Sequence, residues 1–307
     1  NGIPYATEFS LKTPDFESLE KNYAHVIADL TEAEQLLADE AEYAGRTPFM
    51  TDRQIHLNLH AVQALLARVY LTMGDKQKAL EYAEKVITTS NATLKTKTEV
   101  INDLAGVLSK KECLFGVYYA NFFSQVNSKL EQTTSYYSLS IREDFMDMYE
   151  QNVSGLDYRT TAYFSSIEAG GQSVYRLSKF TDIYEKNNNA SARPTSLILG
   201  INLIRLPEMY YIAAESLLDT DYDRALAYYD EVIVSRGLEP LSATDAKLTQ
   251  EIINTERYKE YFGEGQTFFN MKRQNQNIVS YDNKITFTPV DGIYNIPIPD
   301  IEKDNRN

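Results

Sequence analysis

Residues 57–87, LNLHAVQALLARVYLTMGDKQKALEYAEKVI, contain two amphipathic stretches that are separated by the pair Gly74-Asp75. Apolar residues recur every three or four positions on both sides of this pair, which places them on one face of a helix. Small residues, among them Ala67 and Ala79, let two such helices approach each other closely. The stretch therefore predicts a helical hairpin with a Gly-Asp turn.

A second copy of this pattern occupies residues 205–233, RLPEMYYIAAESLLDTDYDRALAYYDEVI. One constant offset, 146 positions, superposes five identical residues: Ala67 on Ala213, Ala79 on Ala225, Tyr82 on Tyr228, Val86 on Val232 and Ile87 on Ile233. Thr220 replaces the turn glycine of the first copy, so the repeat is degenerate. The pattern is similar to the tetratricopeptide repeat, a helical hairpin of about 34 residues.

Hairpins of this kind usually need about three stacked units to bury their apolar faces. Amphipathic helices predicted at residues 16–37 and 249–262 are the candidates to complete the stack. Residues 91–201 interrupt it and form an insertion, in which residues 113–118 resemble a short strand and residues 142–149 a short helix. Residues 165–172 and 186–194 are expected to be loops.

The predicted fold class is all-α, with degenerate tetratricopeptide-type helical hairpins and a long irregular, loop-rich insertion. We expect one domain over residues 1–307. Its expected parts are a helical hairpin region (16–90), the insertion (91–201), a second helical repeat region (202–273) and a C-terminal tail (274–307).

Composition excludes several classes of protein. Thirty Lys and Arg residues against 44 Asp and Glu residues give a net charge of −14, which disfavours a nucleic-acid-binding protein. Cys113 is the only cysteine, so an intramolecular disulfide and a Cys-based zinc site are excluded. No segment approaches the roughly 18 apolar residues of a membrane span. The first residues show neither an export signal nor a lipid-attachment cysteine, so we expect that any export signal has been removed or was never present.

The last third of the chain carries a more specific signal. Residues 255–273, TERYKEYFGEGQTFFNMKR, resemble the C-terminal hallmark of the RagB/SusD family, E-R-x-x-E-[LF]-x-x-E-G-x-R-x-x-D-L-x-R. Residues 294–305, YNIPIPDIEKDN, and residues 204–215, IRLPEMYYIAAE, are similar to two further segments of that family, in the family's order. The sequence departs from the hallmark at two positions. Gln266 stands where the family often has Arg or His, and Asn270 stands where it often has Asp.

The resemblance implies a tetratricopeptide-containing surface lipoprotein of the outer membrane of Bacteroidota. Such a protein binds an oligosaccharide or polysaccharide and passes it to a SusC-like TonB-dependent transporter, as part of polysaccharide utilisation and nutrient uptake. The resemblance implies no enzymatic activity and no cofactor. Full-length members carry a lipoprotein signal and a further N-terminal region before the helix that begins here near Phe16. We therefore expect this chain to be a processed or truncated member, or an unusually short one.

A glycan site needs aromatic faces that stack on sugar rings, flanked by amide and hydroxyl groups that bond to sugar hydroxyls. Two clusters in the insertion offer this mixture. The candidate ligand-binding residues are Tyr118, Tyr119, Asn121, Phe122, Phe123, Tyr136 and Tyr137. Ordinary packing of these residues in loops is the competing interpretation. A strongly anionic glycan would also need a basic patch, for which Arg176, Lys179 and Arg193 are scattered candidates.

Two other functions are weighed against glycan binding. A tetratricopeptide-type interaction scaffold without a sugar ligand would carry its aromatic residues along the inner helices rather than on the insertion. A glycoside hydrolase needs two carboxylates about 5–10 Å apart across a cleft, and no pair in this sequence singles itself out. The charged residues of the hallmark, Glu256, Arg257, Glu260 and Glu264, lie at helical spacing and are better interpreted as intramolecular ion pairs.

Three further motifs favour structural roles. His56 and His60 lie four positions apart, but no third metal ligand is evident. Residues 219–223 imitate the start of an EF-hand loop, but Arg224 stands where that loop needs glycine, so a turn between helices is favoured. Residues 263–265, Gly-Glu-Gly, lack the third glycine of a dinucleotide-binding loop and are better explained as the end of a helix.

Overall fold

The structure, a computed structural model, describes residues 2–9, 14–47, 50–101, 108, 111–121, 125, 130, 141, 143–150, 157–169, 171–181, 184, 187–192, 198–280 and 283–304. It is predominantly α-helical, which confirms the predicted fold class. The described helices are α1 (Leu19–Leu36), α2 (Leu59–Met73), α3 (Lys76–Thr89), α4 (Lys97–Ile101), α5 (Glu143–Glu150), α6 (Arg159–Tyr163), α7 (Leu206–Leu217), α8 (Tyr222–Ser235), α9 (Gln250–Glu260), α10 (Thr267–Arg273) and α11 (Asp300–Asp304). The described strands are β1 (Cys113–Tyr118), β2 (Phe164–Ala169), β3 (Gln172–Leu177), β4 (Gly200–Arg205), β5 (Ile278–Val279) and β6 (Thr286–Phe287).

The first hairpin, α2–α3, has the expected Gly-Asp turn. Gly74 ends α2 with a φ of 85°, a left-handed conformation that glycine adopts without a steric penalty. The side chain of Asp75 then accepts a hydrogen bond from the backbone N–H of Lys78 and caps α3. In the second hairpin, α7–α8, Asp221 caps α8 in the same way, with Arg224 as the donor. The residues that imitate an EF-hand loop therefore form a turn and a helix cap.

Both hairpins pack into one stack. In the order of packing, the neighbouring helices are α1, α2, α3, α7 and α8, and α9 also packs on α7. Ala79 and Ala213, from the two copies of the repeat, are fully buried in the same core, where their small size lets the helices approach. The helices expected at residues 16–37 and 249–262 are thus found on the stack, as α1 and α9.

A polar contact recurs between successive units of the stack. The hydroxyl of Tyr82 on α3 donates to Glu34 on α1 at 3.3 Å. The hydroxyl of Tyr228, the repeat equivalent of Tyr82, donates to Glu84 on α3 at 2.7 Å. In each hairpin, the second helix is therefore joined to the preceding unit of the stack by a tyrosine at the equivalent position of the repeat.

The insertion leaves and rejoins the stack through adjacent strands. β1 pairs antiparallel with β4, with Tyr118 opposite Gly200. The strand and the short helix predicted at residues 113–118 and 142–149 are present as β1 and α5. Tyr149, Phe164 and Leu177 lie in a small core of the insertion, against which Phe262 of the hallmark packs.

The expected loop at residues 165–172 is wrong. These residues belong to the antiparallel hairpin β2–β3, in which Phe164 pairs with Leu177 and Ala169 with Gln172. Gly171 has a φ of 80°, which a tight turn between two strands can require. The pair Gly170-Gly171 between two runs of strand residues is the sequence signal for this hairpin.

Candidate functional site

Two adjacent tyrosines project from the structure where β1 ends. The side chains of Tyr118 and Tyr119 are 56% and 41% exposed, and Asn121, also exposed, follows them. We call these three residues the aromatic edge. The other four residues predicted for the glycan site, Phe122, Phe123, Tyr136 and Tyr137, lie outside the described residues. The aromatic edge thus places three of the seven predicted residues on one surface segment.

The position of the aromatic edge depends on the pairing of β1 with β4. A Cβ atom on Gly200 would lie 2.1 Å from the backbone oxygen of Val117, so only glycine allows the two strands to approach this closely. Beyond the strands, the N–H of Tyr119 donates to the carbonyl oxygen of Leu199 at 3.1 Å. The backbone on both sides of Tyr118 is therefore held by the neighbouring strand, while the side chain faces solvent.

A group of buried charges lies at the other end of this strand pair. We call it the buried charge cluster, and it contains five acidic and five basic side chains, each at most 10% exposed. Its members are Glu112, Asp157, Arg159, Lys179, Arg205, Arg236, Glu256, Lys259, Glu260 and Glu264. Each acidic member is therefore compensated by buried cations, and Lys95, which is 8% exposed, adds a further positive charge near Glu112.

Two arginines connect the strand pair to the hallmark helix α9. Arg236 donates to both carboxylate oxygens of Glu112, at 2.9 and 3.1 Å, and to both of Glu260, at 2.9 Å each. Arg205, the last residue of β4, donates to Glu260 at 2.7 Å and to Glu264 at 2.8 Å. Glu112 directly precedes β1, so both strands are held to α9 through charge-assisted hydrogen bonds.

Arg159 connects the insertion to the same helix. It donates to Asp157 at 2.7 Å, to Glu256 at 2.7 Å and to Glu260 at 3.4 Å. Lys259 completes the arrangement, with its ammonium 2.7 Å from Glu256 and 3.1 Å from Asp157. The ion pairs expected for the hallmark residues are therefore present, and most of their partners come from distant parts of the chain.

The arginines keep the carboxyl groups of the cluster ionised. Burial raises the pKa of Glu260, but the guanidiniums of Arg236 and Arg205 outweigh burial and hold the pKa well below its usual value. The pKa of Glu112 is lowered in the same way, against burial, by Arg236 and Lys95. General acid catalysis by a carboxyl group needs the opposite shift, toward neutral pH. The electrostatics of the cluster therefore favour a structural role.

The prediction of a basic patch for an anionic glycan is wrong for two of its three residues, because both are buried. Lys179 is buried in the cluster, where its ammonium pairs with Glu264 and donates to the backbone oxygen of Glu260 at 2.8 Å. Arg176 is only 4% exposed. Arg193 lies outside the described residues. Burial of Arg176 and Lys179 beneath the surface removes both from contact with a large ligand.

Neither a metal-binding cluster nor a membrane-spanning helix is present among the described residues. Among the described residues, no group of three or more His, Cys, Asp and Glu side chains could hold a metal ion. Gly263 and Gly265 have φ values of 80° and 75° and lie between α9 and α10, so this segment ends one helix and precedes the next. Across all the residues that the structure describes, no helix combines the length and the apolar character needed to cross a bilayer.

Comparison with known proteins identifies the family. The sequence profile of the SusD family matches residues 68–298, which is more than half of the chain. The chain therefore belongs to the SusD family, in agreement with the resemblance found in its hallmark. No curated protein matches the sequence significantly.

Solved structures of the SusD superfamily share the fold. A SusD superfamily protein from Bacteroides thetaiotaomicron is 26% identical, with a TM-score of 0.74 over 99% of this chain and 69% of its own. A SusD-like carbohydrate binding protein from Bacteroides vulgatus is 23% identical, with a TM-score of 0.67 over 93% of this chain and 61% of its own. Surface glycan-binding protein A from Bacteroides uniformis is 18% identical, with a TM-score of 0.64 over 89% of this chain and 61% of its own. This chain thus spans between three fifths and seven tenths of the length of these three proteins.

Sequence reasoning missed most of the buried charge cluster. The hallmark residues Glu256, Glu260 and Glu264 were identified at helical spacing, but Asp157 and Arg159 carry no local pattern. One signal was available in retrospect. Arg205 and Arg236 lie at the two ends of the second predicted hairpin, and the hallmark helix is a candidate for the same stack, so these arginines are candidate partners for its acidic residues.

Proposed function

We propose that this protein is a non-catalytic glycan-binding component of an outer-membrane uptake system. In this proposal it captures an oligosaccharide or polysaccharide at the cell surface, where a lipid anchor attaches it to the outer membrane. It then delivers the glycan to a SusC-like TonB-dependent transporter. Membership of the SusD family supports the proposal, as do the carbohydrate-binding and glycan-binding proteins among the structural neighbours.

The observation that carries the proposal is the exposure of two consecutive tyrosines, Tyr118 and Tyr119, on the insertion. The face of a tyrosine ring is apolar and packs against the C–H face of a sugar, while its hydroxyl and the amide of Asn121 can exchange hydrogen bonds with sugar hydroxyls. Because β4 holds the backbone of β1 in place, little conformational entropy would be lost when a ligand binds.

The alternative, a peptide-binding tetratricopeptide scaffold, has weaker support. Its aromatic residues should be available along the inner helices. Tyr70 and Tyr82 instead stack on each other, with ring centroids 5.7 Å apart, and Tyr210 and Tyr228 meet edge to face at 6.0 Å. Tyr82 and Tyr228 also use their hydroxyls to join neighbouring helices.

Affinity electrophoresis in gels that contain a panel of polysaccharides tests the proposal. We expect one polysaccharide to retard the protein, and Tyr118→Ala to weaken that retardation about three- to tenfold, as loss of one stacking contact predicts. Tyr43→Ala is the matched control, because Tyr43 is 44% exposed but lies outside the insertion. Equal loss in both variants, with circular dichroism unchanged, would refute the aromatic edge as the site.

Delivery to a transporter needs a separate test. The protein, immobilised and loaded with the polysaccharide identified above, is offered detergent-solubilised outer membranes from the organism that encodes it. Recovery of a TonB-dependent transporter supports the partnership. Recovery of no transporter from membranes that contain it would leave glycan binding standing and reject delivery.

A further inference from the structure

A cavity of about 790 Å³ lies between α9, α10 and β5, on a part of the surface that the aromatic edge does not reach. Its volume falls in the usual range of small-molecule sites. Amide side chains dominate its polar lining, and they are Gln250, Asn254, Gln266, Asn270, Gln276 and Asn277. Met148, Tyr258 and Met271 supply apolar surface. This combination suits a ligand that carries many hydroxyl groups on a compact apolar frame.

Arg257 lines the cavity and carries a positive charge that is poorly compensated. Its Nη1 atom is buried and makes no hydrogen bond within the described part of the chain, although it lies 3.9 Å from Oε2 of Glu215. Glu215 is already bound by Arg273, which donates to both carboxylate oxygens at 2.6 and 2.8 Å. A single carboxylate is thus shared by two guanidiniums.

The next carboxylate along α7, Glu208, interacts with Arg257 only at longer range. Glu208 accepts two hydrogen bonds of 2.7 Å from Arg68, so these two groups neutralise each other. At position 270, where the hallmark of the family often has Asp, this chain has Asn270, a neutral lining residue. Glu251 also lines the cavity, but it is exposed to solvent, which screens its charge. The charge balance at Arg257 therefore favours an anion.

A second unpartnered polar group lies behind the cavity wall. The hydroxyl of Tyr261 is buried and makes no hydrogen bond among the described residues. Its ring is 4% exposed and packs edge to face against Tyr211. The hydroxyl is closed to the cavity, so Tyr261 contributes its ring, and no hydrogen-bonding group, to the cavity wall.

We infer that this cavity is a second ligand site, selective for a carboxylated sugar the size of a uronic acid monosaccharide or disaccharide. The carboxylate of the sugar pairs with Arg257, and its hydroxyls bond to the surrounding amides. The inference is independent of the proposed function, because no residue of the aromatic edge lines the cavity.

Methionine methyl groups provide a direct test, because two of the six methionines, Met148 and Met271, line the cavity. In protein labelled with ¹³C-methyl methionine, D-galacturonate and digalacturonate should shift the signals of these two residues. The signal of Met209, which is fully buried in the helical core, should stay in place. D-Galactose and acetate, which each lack half of the recognised chemistry, should bind at least tenfold more weakly than D-galacturonate.

Two variants make the test decisive. Arg257→Gln removes the guanidinium. Asn270→Asp, with almost no change in shape, places a carboxylate where Oδ1 of Asn270 accepts a hydrogen bond from Arg273 at 2.7 Å. Arg273 then has a carboxylate of its own, and Glu215 becomes available to neutralise Arg257. Each should weaken D-galacturonate at least tenfold and leave the affinity for D-galactose within twofold, whereas Tyr118→Ala should change neither.

The outcomes separate cleanly. Absence of methyl shifts at millimolar uronate, or equal affinity of Asn270→Asp and the parent protein, would overturn the inference even if polysaccharide binding at Tyr118 were established. If Arg257→Gln does not fold, Asn270→Asp alone still decides between the two results.

Discussion

Arg159 donates from Nη2 to Oε2 of Glu256 across 2.7 Å, and both side chains are buried although 97 residues separate them in sequence. The contact joins the insertion to helix α9 in the interior of the protein. Removing a charged side chain from water is costly, and only a nearby opposite charge offsets that cost in the interior. The insertion and the helical stack are therefore expected to unfold together.

Loss of Arg159 should be far more damaging than loss of a surface cation. We expect Arg159→Ala to lower the free energy of unfolding by about 3–5 kcal/mol, because Asp157, Glu256 and Glu260 would keep buried negative charge without it. Lys76→Ala, which breaks an exposed pair with Asp219, should cost about 0–1 kcal/mol. Urea denaturation of both variants measures the difference. Costs within about 1 kcal/mol of each other would show that the cluster tolerates an unpaired charge.

Stability should rise between about pH 8 and pH 9.5 because of Lys179. Burial lowers the pKa of Lys179 from 10.5 to about 8, so in this range the unfolded chain binds more protons than the folded protein. The stabilising contribution is complete above the unfolded pKa and is lost as pH falls through the folded one. Denaturant midpoints measured over this range should climb in the parent protein.

Two substitutions isolate the contribution of Lys179. Lys179→Met should flatten the rise in stability with pH, since no proton remains to be released at that position. Lys76→Met, at an exposed ion pair, should retain it. An unchanged slope in Lys179→Met would assign the rise to other groups.

Small residues at the helix contacts should resist enlargement. Ala225 on α8 is fully buried and Ala227 on the same helix is exposed. Ala225→Leu forces extra atoms into a packed core and should cost about 1–3 kcal/mol, whereas Ala227→Leu should stay within about 0.5 kcal/mol of the parent protein. Thermal or urea unfolding compares the two variants. Equal stability would mean that the stack can move apart freely at this contact.

Two glycines of the hallmark should respond differently to the same substitution. Gly263 and Gly265 both have positive φ values, so alanine is strained at either position. At Gly263 a Cβ atom would also lie 2.9 Å from the side chains of Leu177 and Phe180, whereas nothing lies within 4 Å at Gly265. We therefore expect Gly263→Ala to destabilise the protein by about 1 kcal/mol or more beyond Gly265→Ala. Differential scanning calorimetry should show the lower Tm for Gly263→Ala; the reverse order would contradict the prediction.

Local periodicity was sufficient to predict the helical stack. The identities that link Ala67 to Ala213 and Tyr82 to Tyr228 reflect packing that is repeated in space, so a constant offset in sequence reveals it. The hairpin β2–β3 was missed because its strands are rich in serine and only the pair Gly170-Gly171 marks the turn. Three of the seven predicted site residues, Tyr118, Tyr119 and Asn121, share the aromatic edge, and their role stays a prediction.

Contacts between distant residues could not be predicted in the same way. Arg159 and Glu256 have no spacing rule in common, because their contact depends on how the insertion folds back on α9. The cavity beside Arg257 was missed for a related reason. Its amide side chains come from α9, from α10 and from the segments on either side of α10. A single sequence does not indicate that the carboxylates near Arg257 fail to balance its charge.

The adjacency of β1 and β4 bears on how proteins with this architecture can diverge. Tyr118 lies opposite Gly200, so the chain between them starts and ends at one place on the helical scaffold. Closing a longer segment between two fixed ends is inexpensive, since each doubling of its length costs only about 0.6 kcal/mol. Evolution can therefore lengthen, shorten or rewrite that segment, and with it the range of molecules recognised, while the same scaffold is inherited unchanged.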